Sequence, residues 1–296
     1  MDELYKGRDI ADLYQKYRPT YPDKMRENII KYLRSHKPDS DLSSTFDLMV
    51  DVGCGSAQST NMFAPYFKNI VGVDASEDQI EFARKQNKFS HIKYLVGKAE
   101  NLPFDDNSVD LVTCGASVHW FDLEAFFGEV SRILKPNGCL ALFCYVNQEM
   151  YPLGVDDCEL SKATVGINWL LCDLEIEDNL RGKWILKECW NGYENIFKQI
   201  PLPSKQRDET ISFRHQMSFE NACGYLHSAV RQQNLKMRRK ELDDIFGNVF
   251  PSDQGEFDLL KAIESKLKMI WNLNEEKEFC IEWKYFTILA SMSRNV

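Results

Sequence analysis

The feature that most constrains this chain is residues 48–58, where an apolar run ends in a glycine-rich turn. Residues 48–50 predict a strand buried on both faces, and residues 59–67 predict a helix. Gly53 and Gly55 lie between the two. Glycine allows the backbone to turn sharply and a ligand to approach closely, and the first N–H groups of a helix are free to bind that ligand. The stretch therefore predicts a cofactor-binding loop after a buried strand.

Two classes of cofactor bind at such a loop. Dinucleotides prefer Gly-x-Gly-x-x-Gly, whose third glycine lets the helix pack closely beside the pyrophosphate. Gln58 occupies that third position, which disfavours a nicotinamide-dependent oxidoreductase. The second pattern is Asp-x-Gly-x-Gly, and Asp51, Gly53 and Gly55 match it. A carboxylate at the strand end would repel a pyrophosphate but would suit a cationic amino group.

Strands and helices alternate through the rest of residues 46–146. Four further apolar runs predict strands at residues 70–74, 92–96, 109–114 and 139–145. Ser76 and Asp122 are expected to cap two of the intervening helices, and residues 135–138 are expected to end the second of these. Such alternation is typical of a parallel, doubly wound α/β sheet. Asp74 ends the second strand, where an acid would accept both ribose hydroxyls of a bound nucleoside.

The pattern outside this core is less regular. The predicted helices there are residues 1–17, 23–33, 218–233, 238–247 and 255–271, and the predicted strands are residues 209–217 and 279–290. We therefore divide the chain into three parts. Residues 1–45 form N-terminal helices that close the cofactor site, residues 46–150 form the cofactor-binding core, and residues 151–296 form a helical cap with the last two strands.

Composition limits the classes of function. The 296 residues are 44% hydrophobic and 27% charged, which is typical of a soluble globular protein. The formal net charge of -9 disfavours nucleic acid as a partner, because phosphate backbones require a basic surface. The nine cysteines include no Cys-x-x-Cys, so we expect neither a metal site nor a disulfide framework. No signal sequence or apolar membrane span is evident, which predicts a cytoplasmic protein.

Several motifs together resemble a known family. They are Tyr14-x-x-x-Arg18-Pro19-x-Tyr21-Pro22, Asp51-x-Gly53-x-Gly55, Asp74 and His119-Trp120-Phe121-Asp122, in that order. The set resembles the trans-aconitate methyltransferase group of class I S-adenosylmethionine-dependent methyltransferases, over residues 14–146. This resemblance implies a Rossmann-like, seven-stranded doubly wound sheet with a mostly helical cap. It also implies methylation of a carboxylate on a small metabolite by a monomer or weak dimer, with S-adenosylhomocysteine as the second product.

The resemblance also implies roles for individual residues. The cofactor-binding set is Arg18, Asp51, Gly53, Gly55, Asp74, Ala75, Ala99, Glu100 and Cys114. The substrate-binding set is Tyr14, Tyr21, His119, Trp120 and Tyr145, of which His119 and Trp120 are the candidate catalytic residues. Each role has a simpler structural alternative. Arg18 would otherwise be a surface cation, Asp74 a helix cap, and His119 and Trp120 parts of the core.

The expected chemistry depends on the acceptor. A carboxylate has a reference pKa near 4, so it is already a nucleophile at neutral pH and needs no general base. His119 and the indole N–H of Trp120 would then position it. An amine or phenol acceptor would instead make His119 the leading base. A cofactor-binding protein without catalysis is the remaining alternative, although the tryptophans Trp169, Trp184 and Trp190 are more typical of a packed lid.

Overall fold

The computed structural model describes residues 16–37, 45–155, 161–162, 164–165, 180–227, 259–273 and 277–293. Some of the predictions from the sequence lie outside these residues. They are the roles of Tyr14 and Trp169, the helix at residues 238–247, and most of the helix at residues 1–17.

Seven strands form one sheet. They are β1 (Phe46–Val52), β2 (Phe67–Asp74), β3 (Ile92–Val96), β4 (Val109–Gly115), β5 (Leu134–Pro152), β6 (Ser204–Met217) and β7 (Phe279–Ser291). Their order across the sheet is β3-β2-β1-β4-β5-β7-β6. The first five are mutually parallel, and β7 runs antiparallel to both β5 and β6. This architecture confirms the predicted seven-stranded, Rossmann-like α/β fold.

The central strands owe their position to their apolar runs. Six of the seven residues of β4 are buried, as are the last four of β1. Strands covered on both faces require continuous apolar sequence rather than alternation. By contrast, β6 at one edge of the sheet has mostly exposed or half-buried side chains.

Helices cover both faces of the sheet. The described helices are α1 (Asp23–Ser35), α2 (Glu77–Gln86), α3 (Leu123–Ile133), α4 (Leu180–Trp190), α5 (Glu194–Gln199), α6 (Phe219–His227) and α7 (Leu259–Ile270). One hydrophobic cluster joins α1, α2, α6 and α7 to the sheet, and a second joins α3 and α5 to the opposite face. Ser76 and Asp122 cap α2 and α3 through the backbone N–H groups of Gln79 and Ala125, as expected.

Two local predictions need correction. The helix predicted at residues 59–67 is present as a 3-10 helix over Thr60–Tyr66 rather than an α-helix, and it contains Pro65. Proline lacks the N–H that an α-helix interior requires. Residues 135–138 do not end α3 as a separate turn, since α3 ends at Ile133 and Leu134 already pairs with Val109 as the start of β5.

Two searches of the described residues bear on function. No helix among them is long and apolar enough to cross a membrane. The same part of the chain holds no group of three or more His, Cys, Asp or Glu side chains arranged to bind a metal ion.

Candidate active site

A cavity of about 420 Å³ opens at the carboxyl ends of the parallel strands. Its walls come from the segments that follow β1, β2, β3 and β4. Ligands of open α/β sheets bind at this edge, and the volume lies within the range usual for small-molecule sites. The residues predicted from the sequence that line it are Tyr21, Gly53, Gly55, Asp74, Ala75, Ala99, Glu100 and Trp120.

The glycine turn after β1 forms one wall of the cavity. Gly53 has φ +69°, and a Cβ atom placed on it would lie 2.6 Å from the Oγ atom of Ser117. Gly55 has φ +51°, but the nearest atom to a Cβ placed on it would be Oε1 of Gln79, 3.8 Å away. The next turn residue in the left-handed region is Ala57, with φ 72°. Within this turn, Gly53 alone needs glycine for both its conformation and the close approach of another segment.

Asp74 connects two loops and faces the cavity. Its Oδ2 atom accepts a 2.8 Å hydrogen bond from the backbone N–H of Gly55, and its Oδ1 atom accepts one of 2.9 Å from Ser76. Each carboxylate oxygen has two lone pairs, so each can accept one further hydrogen bond. Burial raises the pKa of Asp74 above its ordinary value, and these two backbone donors oppose the rise. The carboxylate is thus placed to receive a pair of ligand hydroxyls.

Asp51 lies beneath the cavity rather than in its wall. The side chain is fully buried and accepts hydrogen bonds from the hydroxyls of Ser59 at 3.0 Å, Thr60 at 2.6 Å and Thr113 at 2.7 Å. Burial raises its pKa, and the three hydroxyls act in the opposite direction. The geometry therefore makes Asp51 an anchor for the loop after β1. Of its three partners, Ser59 lines the cavity and so connects Asp51 to the cavity wall.

The loop after β3 forms another part of the cavity wall. Ala99 and Glu100 line the cavity, as does Lys98 between them and the strand. The Oε1 atom of Glu100 accepts a 2.9 Å hydrogen bond from the backbone N–H of Asp122. This bond joins the loop after β3 to the start of α3, and so holds two sides of the cavity together.

Aromatic side chains close the other end of the cavity. Trp120 and Phe121 come from the turn after β4, and Tyr21 comes from the segment before α1. The Tyr21 ring packs edge-on against Phe143 of β5, with ring centroids 4.8 Å apart. A Cβ atom on Gly115 would lie 3.2 Å from the Tyr21 hydroxyl oxygen. Tyr21 therefore lies directly over the end of β4.

His119 lies behind Trp120 and is not among the residues lining the cavity. It is buried, and its Nδ1 atom is 2.6 Å from the hydroxyl oxygen of Tyr193. Burial lowers the pKa of His119 to about 3, so its ring is neutral at physiological pH. The His119 and Trp120 rings are in contact, with centroids 5.3 Å apart.

Three other predicted residues also lie outside the cavity wall. Cys114 is fully buried within β4. The guanidinium of Arg18 lies 5.5 Å from the centroid of the Tyr225 ring, and the Tyr145 ring lies 6.2 Å from that of Tyr21. Tyr145 therefore packs against the aromatic end of the cavity, whereas this contact of Arg18 is with α6.

Two of the tryptophans that the sequence predicted to pack in a lid, Trp184 and Trp190, are described. Trp184 is half-buried against the core, and Trp190 is 53% exposed. Neither lines the cavity. This placement is consistent with packing for Trp184 and not with a substrate cage.

Sequence reasoning missed several lining residues. They are Ser56, Gln58, Ser59, Gln79, Lys98, Ser117, Phe121 and Asp122, among others. Most are immediate neighbours of predicted site residues at the ends of predicted strands. Extending each predicted site by two or three residues beyond its strand would have found them.

Comparison with known proteins agrees with this geometry. Residues 50–142 match the family model described as a methyltransferase domain. By this match, that segment is similar to methyltransferase domains. It begins within β1 and ends within β5, so it contains the glycine turn, Asp74 and the turn with Trp120.

Individual relatives and structures extend the comparison. A protein of Dictyostelium discoideum named as a methyltransferase is 36% identical over 140 residues, which is 47% of this chain and 49% of that protein. A protein of Saccharomyces cerevisiae named as a probable S-adenosylmethionine-dependent methyltransferase is 32% identical over 141 residues, 46% of this chain and 45% of that protein. The chain spans about half the length of these curated relatives. A solved structure described as a type II methyltransferase from Anaeromyxobacter dehalogenans has a TM-score of 0.61 and 22% identity, covering 94% of this chain and all of that one, which supports the fold.

Proposed function

We propose that this protein is an S-adenosylmethionine-dependent methyltransferase that forms a methyl ester on a small carboxylic acid. The observation that carries the proposal is the cavity at the strand ends, whose wall includes the glycine turn and, hydrogen-bonded to it through Gly55, the Asp74 carboxylate. The matching methyltransferase domain and the name of the yeast relative favour the same cofactor.

The cavity residues fit S-adenosylmethionine well. Asp74 would accept the two ribose hydroxyls on the lone pairs that Gly55 and Ser76 leave available. Ala99 and the loop around it would lie against the adenine, while Gly53 would allow the amino acid end of the cofactor to approach the backbone. The bound cofactor would supply an activated methyl group on a sulfonium.

The aromatic end of the cavity fits an acceptor that is already ionised. The described residues there are Tyr21, Trp120 and Phe121 with Gly115, and no histidine lines the cavity among the residues that the structure describes. The carboxylate that follows them, Asp122, already caps α3. A carboxylate needs no proton removed at neutral pH. These side chains would exclude water and align the acceptor, with the Trp120 indole N–H as a hydrogen-bond donor.

An amine or phenol acceptor with His119 as the base has less support. An effective general base has a pKa near the working pH, whereas burial lowers the pKa of His119 to about 3. The ring also lies behind Trp120 rather than in the cavity wall. Both observations favour a structural role for His119.

The segment before α1 would close the acceptor end. The ring of Tyr17 occupies the space beside Gly224 of α6, and the backbone carbonyl of Thr20 accepts a 2.9 Å hydrogen bond from the hydroxyl of Tyr285. Tyr21, one residue further on, lines the cavity. We extend this to residues 1–22 as a closing segment, and to residues 150–272 as a largely helical cap over the strand ends.

A product assay tests the proposed reaction. The protein would be incubated with methyl-labelled S-adenosylmethionine and a panel of small di- and tricarboxylic acids that includes trans-aconitate. We expect a labelled product that mild alkali hydrolyses to methanol, as methyl esters do. Trp120→Phe keeps an aromatic ring but removes the N–H, so it should lower kcat by about 10-fold, the order expected for one lost hydrogen bond to a charged group. An alkali-stable product would point to an N- or C-methyl acceptor instead.

Ligand binding separates this proposal from its rivals. Thermal unfolding would be followed with S-adenosylmethionine, S-adenosylhomocysteine and NAD. The proposal predicts stabilisation by the first two alone. Stabilisation without methylation of any acceptor tested would favour a cofactor-binding protein without catalysis, and stabilisation by NAD would contradict the proposal outright.

A further inference from the structure

The backbone of Tyr193 has an unusual conformation for a large residue. Its φ of 62° and ψ of 36° lie in the left-handed region, which bulky side chains rarely adopt. Such a conformation persists where the surrounding structure fixes it, and it is often found at functional sites. Tyr193 lies between α4 and α5, in a part of the chain to which the sequence assigned no functional residue.

Buried polar contacts hold Tyr193 in this conformation. Its backbone N–H donates a 2.7 Å hydrogen bond to the carbonyl oxygen of Glu188. The Glu188 side chain is fully buried and accepts hydrogen bonds from the backbone N–H groups of Asn195 and Ile196, both at 3.1 Å. Arg207 of β6 donates a 2.8 Å hydrogen bond to the carbonyl oxygen of Asn191, just before the turn. The turn between α4 and α5 is therefore fixed from both sides.

The side chain of Tyr193 reaches the back of the active site. The ring is fully buried and packs edge-on against Phe286 of β7, with centroids 4.9 Å apart. Its hydroxyl oxygen is 2.6 Å from Nδ1 of His119. His119 in turn contacts Trp120, and these two residues share the single 3-10 turn Val118–Trp120. Tyr193, in the C-terminal half of the chain, thus contacts His119, whose neighbour in the sequence, Trp120, lines the cavity.

The hydrogen bond of the pair joins two neutral groups. Burial keeps His119 neutral and raises the pKa of the Tyr193 hydroxyl, so neither group carries charge near neutral pH. A neutral imidazole has one donor nitrogen and one acceptor nitrogen, so Nδ1 either accepts from the Tyr193 hydroxyl or donates to its oxygen. In both arrangements the 2.6 Å contact restrains the orientation of the His119 ring.

We propose that Tyr193 and His119 form a positioning pair that holds Trp120 in its place at the acceptor end of the cavity. The inference rests on the proposed function, because it concerns the residue that would bind the acceptor carboxylate. Tyr193 touches neither the cavity nor the reacting atoms, so it acts through His119. The pair would make methyl transfer depend on the folding of residues 188–196 of the cap. Tyr193 and His119 are 74 residues apart in the sequence.

The test compares two substitutions that each remove one buried hydroxyl. Tyr193→Phe removes the contact with His119. Tyr32→Phe is the control, because the Tyr32 hydroxyl is buried and has no hydrogen-bond partner among the described residues. The first readout is the indole N–H resonance of Trp120 in a proton–nitrogen NMR spectrum, assigned from its disappearance in Trp120→Phe. We expect this resonance to shift or broaden in Tyr193→Phe and to stay unchanged in Tyr32→Phe.

Kinetics and binding give the second readout. With the acid that the wild type methylates, Tyr193→Phe should lower kcat roughly 10-fold, within the range that a small misplacement can produce. Its Kd for S-adenosylhomocysteine, measured by calorimetry, should stay within about twofold of the wild type, because the cofactor end of the cavity is untouched. A general loss of folding would weaken both kcat and cofactor binding, so the split between them identifies positioning.

A double variant guards against misfolding. Replacing both His119 and Tyr193 by Phe removes both partners of their hydrogen bond together, so the chain should fold even if Tyr193→Phe does not. It should shift the Trp120 resonance as the single variant does. An unchanged Trp120 resonance in these variants, or an unchanged kcat, overturns the positioning pair. If the wild type methylates no carboxylic acid, the proposed function fails, and the Trp120 resonance alone then decides the positioning pair.

Discussion

The two ends of the cavity are built in different ways. At the cofactor end, each contributing loop directly follows its own strand, as with the glycine turn after β1 and Asp74 at the end of β2. At the acceptor end, the turn with Trp120 depends on partners far away in the sequence, namely Tyr193 behind it and Tyr21 beside it. The strand pattern therefore places the residues of the cofactor end, whereas the acceptor end depends in addition on side chains from outside the parallel strands and their loops.

This difference has a mechanistic consequence. The cofactor end is tied together by short hydrogen bonds between backbone and carboxylate, such as those from Gly55 and Ser76 to Asp74. The acceptor end is held mainly by aromatic contacts, such as those of Tyr21 with Phe143 and Tyr145. We therefore expect side chains at the aromatic end to tolerate exchange without a change in the backbone of the loop after β1.

The largest expected effect separates two glycines of one turn. Gly53→Ala should weaken the binding of S-adenosylhomocysteine by at least about 100-fold, because the new Cβ overlaps Ser117 in addition to the unfavourable positive φ. Gly55→Ala is the matched control with a similar φ and open space, and it should cost only about 1–2 kcal/mol of stability. Calorimetry and urea unfolding would measure both. Equal effects from the two substitutions would show that close packing at Gly53 is unimportant.

A second pair of glycines probes the acceptor end. Gly224→Ala places a Cβ atom within the Tyr17 ring, so it should loosen the segment before α1. Tryptic cleavage after Lys16 should then be faster, and kcat/KM for the acceptor should fall by about 10-fold. Gly128→Ala adds the same methyl group to helix α3 where no atom lies within 4 Å. It should stabilise the chain by about 0.5–1 kcal/mol without affecting cleavage.

Cofactor binding gives a further check on the closing segment. If residues 1–22 close the site, saturating S-adenosylhomocysteine should suppress the cleavage after Lys16 in the wild type. Deleting residues 1–22 should nearly abolish methyl transfer while the core still unfolds cooperatively. A cleavage rate that the cofactor does not change would remove this segment from the account of closure.

The smallest expected effect concerns pH. The pKa of His119 is lowered to about 3, so the ring stays neutral as pH rises from 6 to 8 and contributes no ionisation to the rate in that range. His119→Asn should therefore keep measurable activity and leave the shape of the kcat/KM profile above pH 6 unchanged. If the wild-type profile has a limb near pH 6.5 that this variant loses, His119 is a base after all.

Sequence reasoning succeeded where the structure is local. The apolar runs of β1–β4 predicted buried parallel strands, and Gly53, Gly55, Asp74, Ala75, Ala99 and Glu100 all line the cavity at their ends. A residue that follows a buried parallel strand must lie at the carboxyl edge of the sheet, whatever its neighbours are. The position of these residues therefore follows from the strand pattern alone.

The same reasoning failed where function depends on direction or on distant contacts. Asp51 is in the expected place, but its carboxylate points to Ser59, Thr60 and Thr113 below the cavity. His119 follows β4 as predicted, yet its neighbour Trp120 takes the place in the wall. Alternation along a turn sends adjacent side chains in different directions, and the sequence does not show which one faces the ligand. Tyr193 carries no local signal, because its importance comes from a contact made across the fold.

The most direct test of the central claim is calorimetric titration of S-adenosylhomocysteine into the wild type and Asp74→Ala. Asp105→Ala, at an exposed acid outside the cavity wall, serves as the charge control. The account predicts binding by the wild type and by Asp105→Ala with similar affinity. Asp74→Ala removes two charge-assisted hydrogen bonds to the ribose, each worth about 1.5–3 kcal/mol, so its Kd should rise by at least about 100-fold. An affinity unchanged by Asp74→Ala, or no binding by the wild type, would contradict the assignment of this cavity to S-adenosylmethionine.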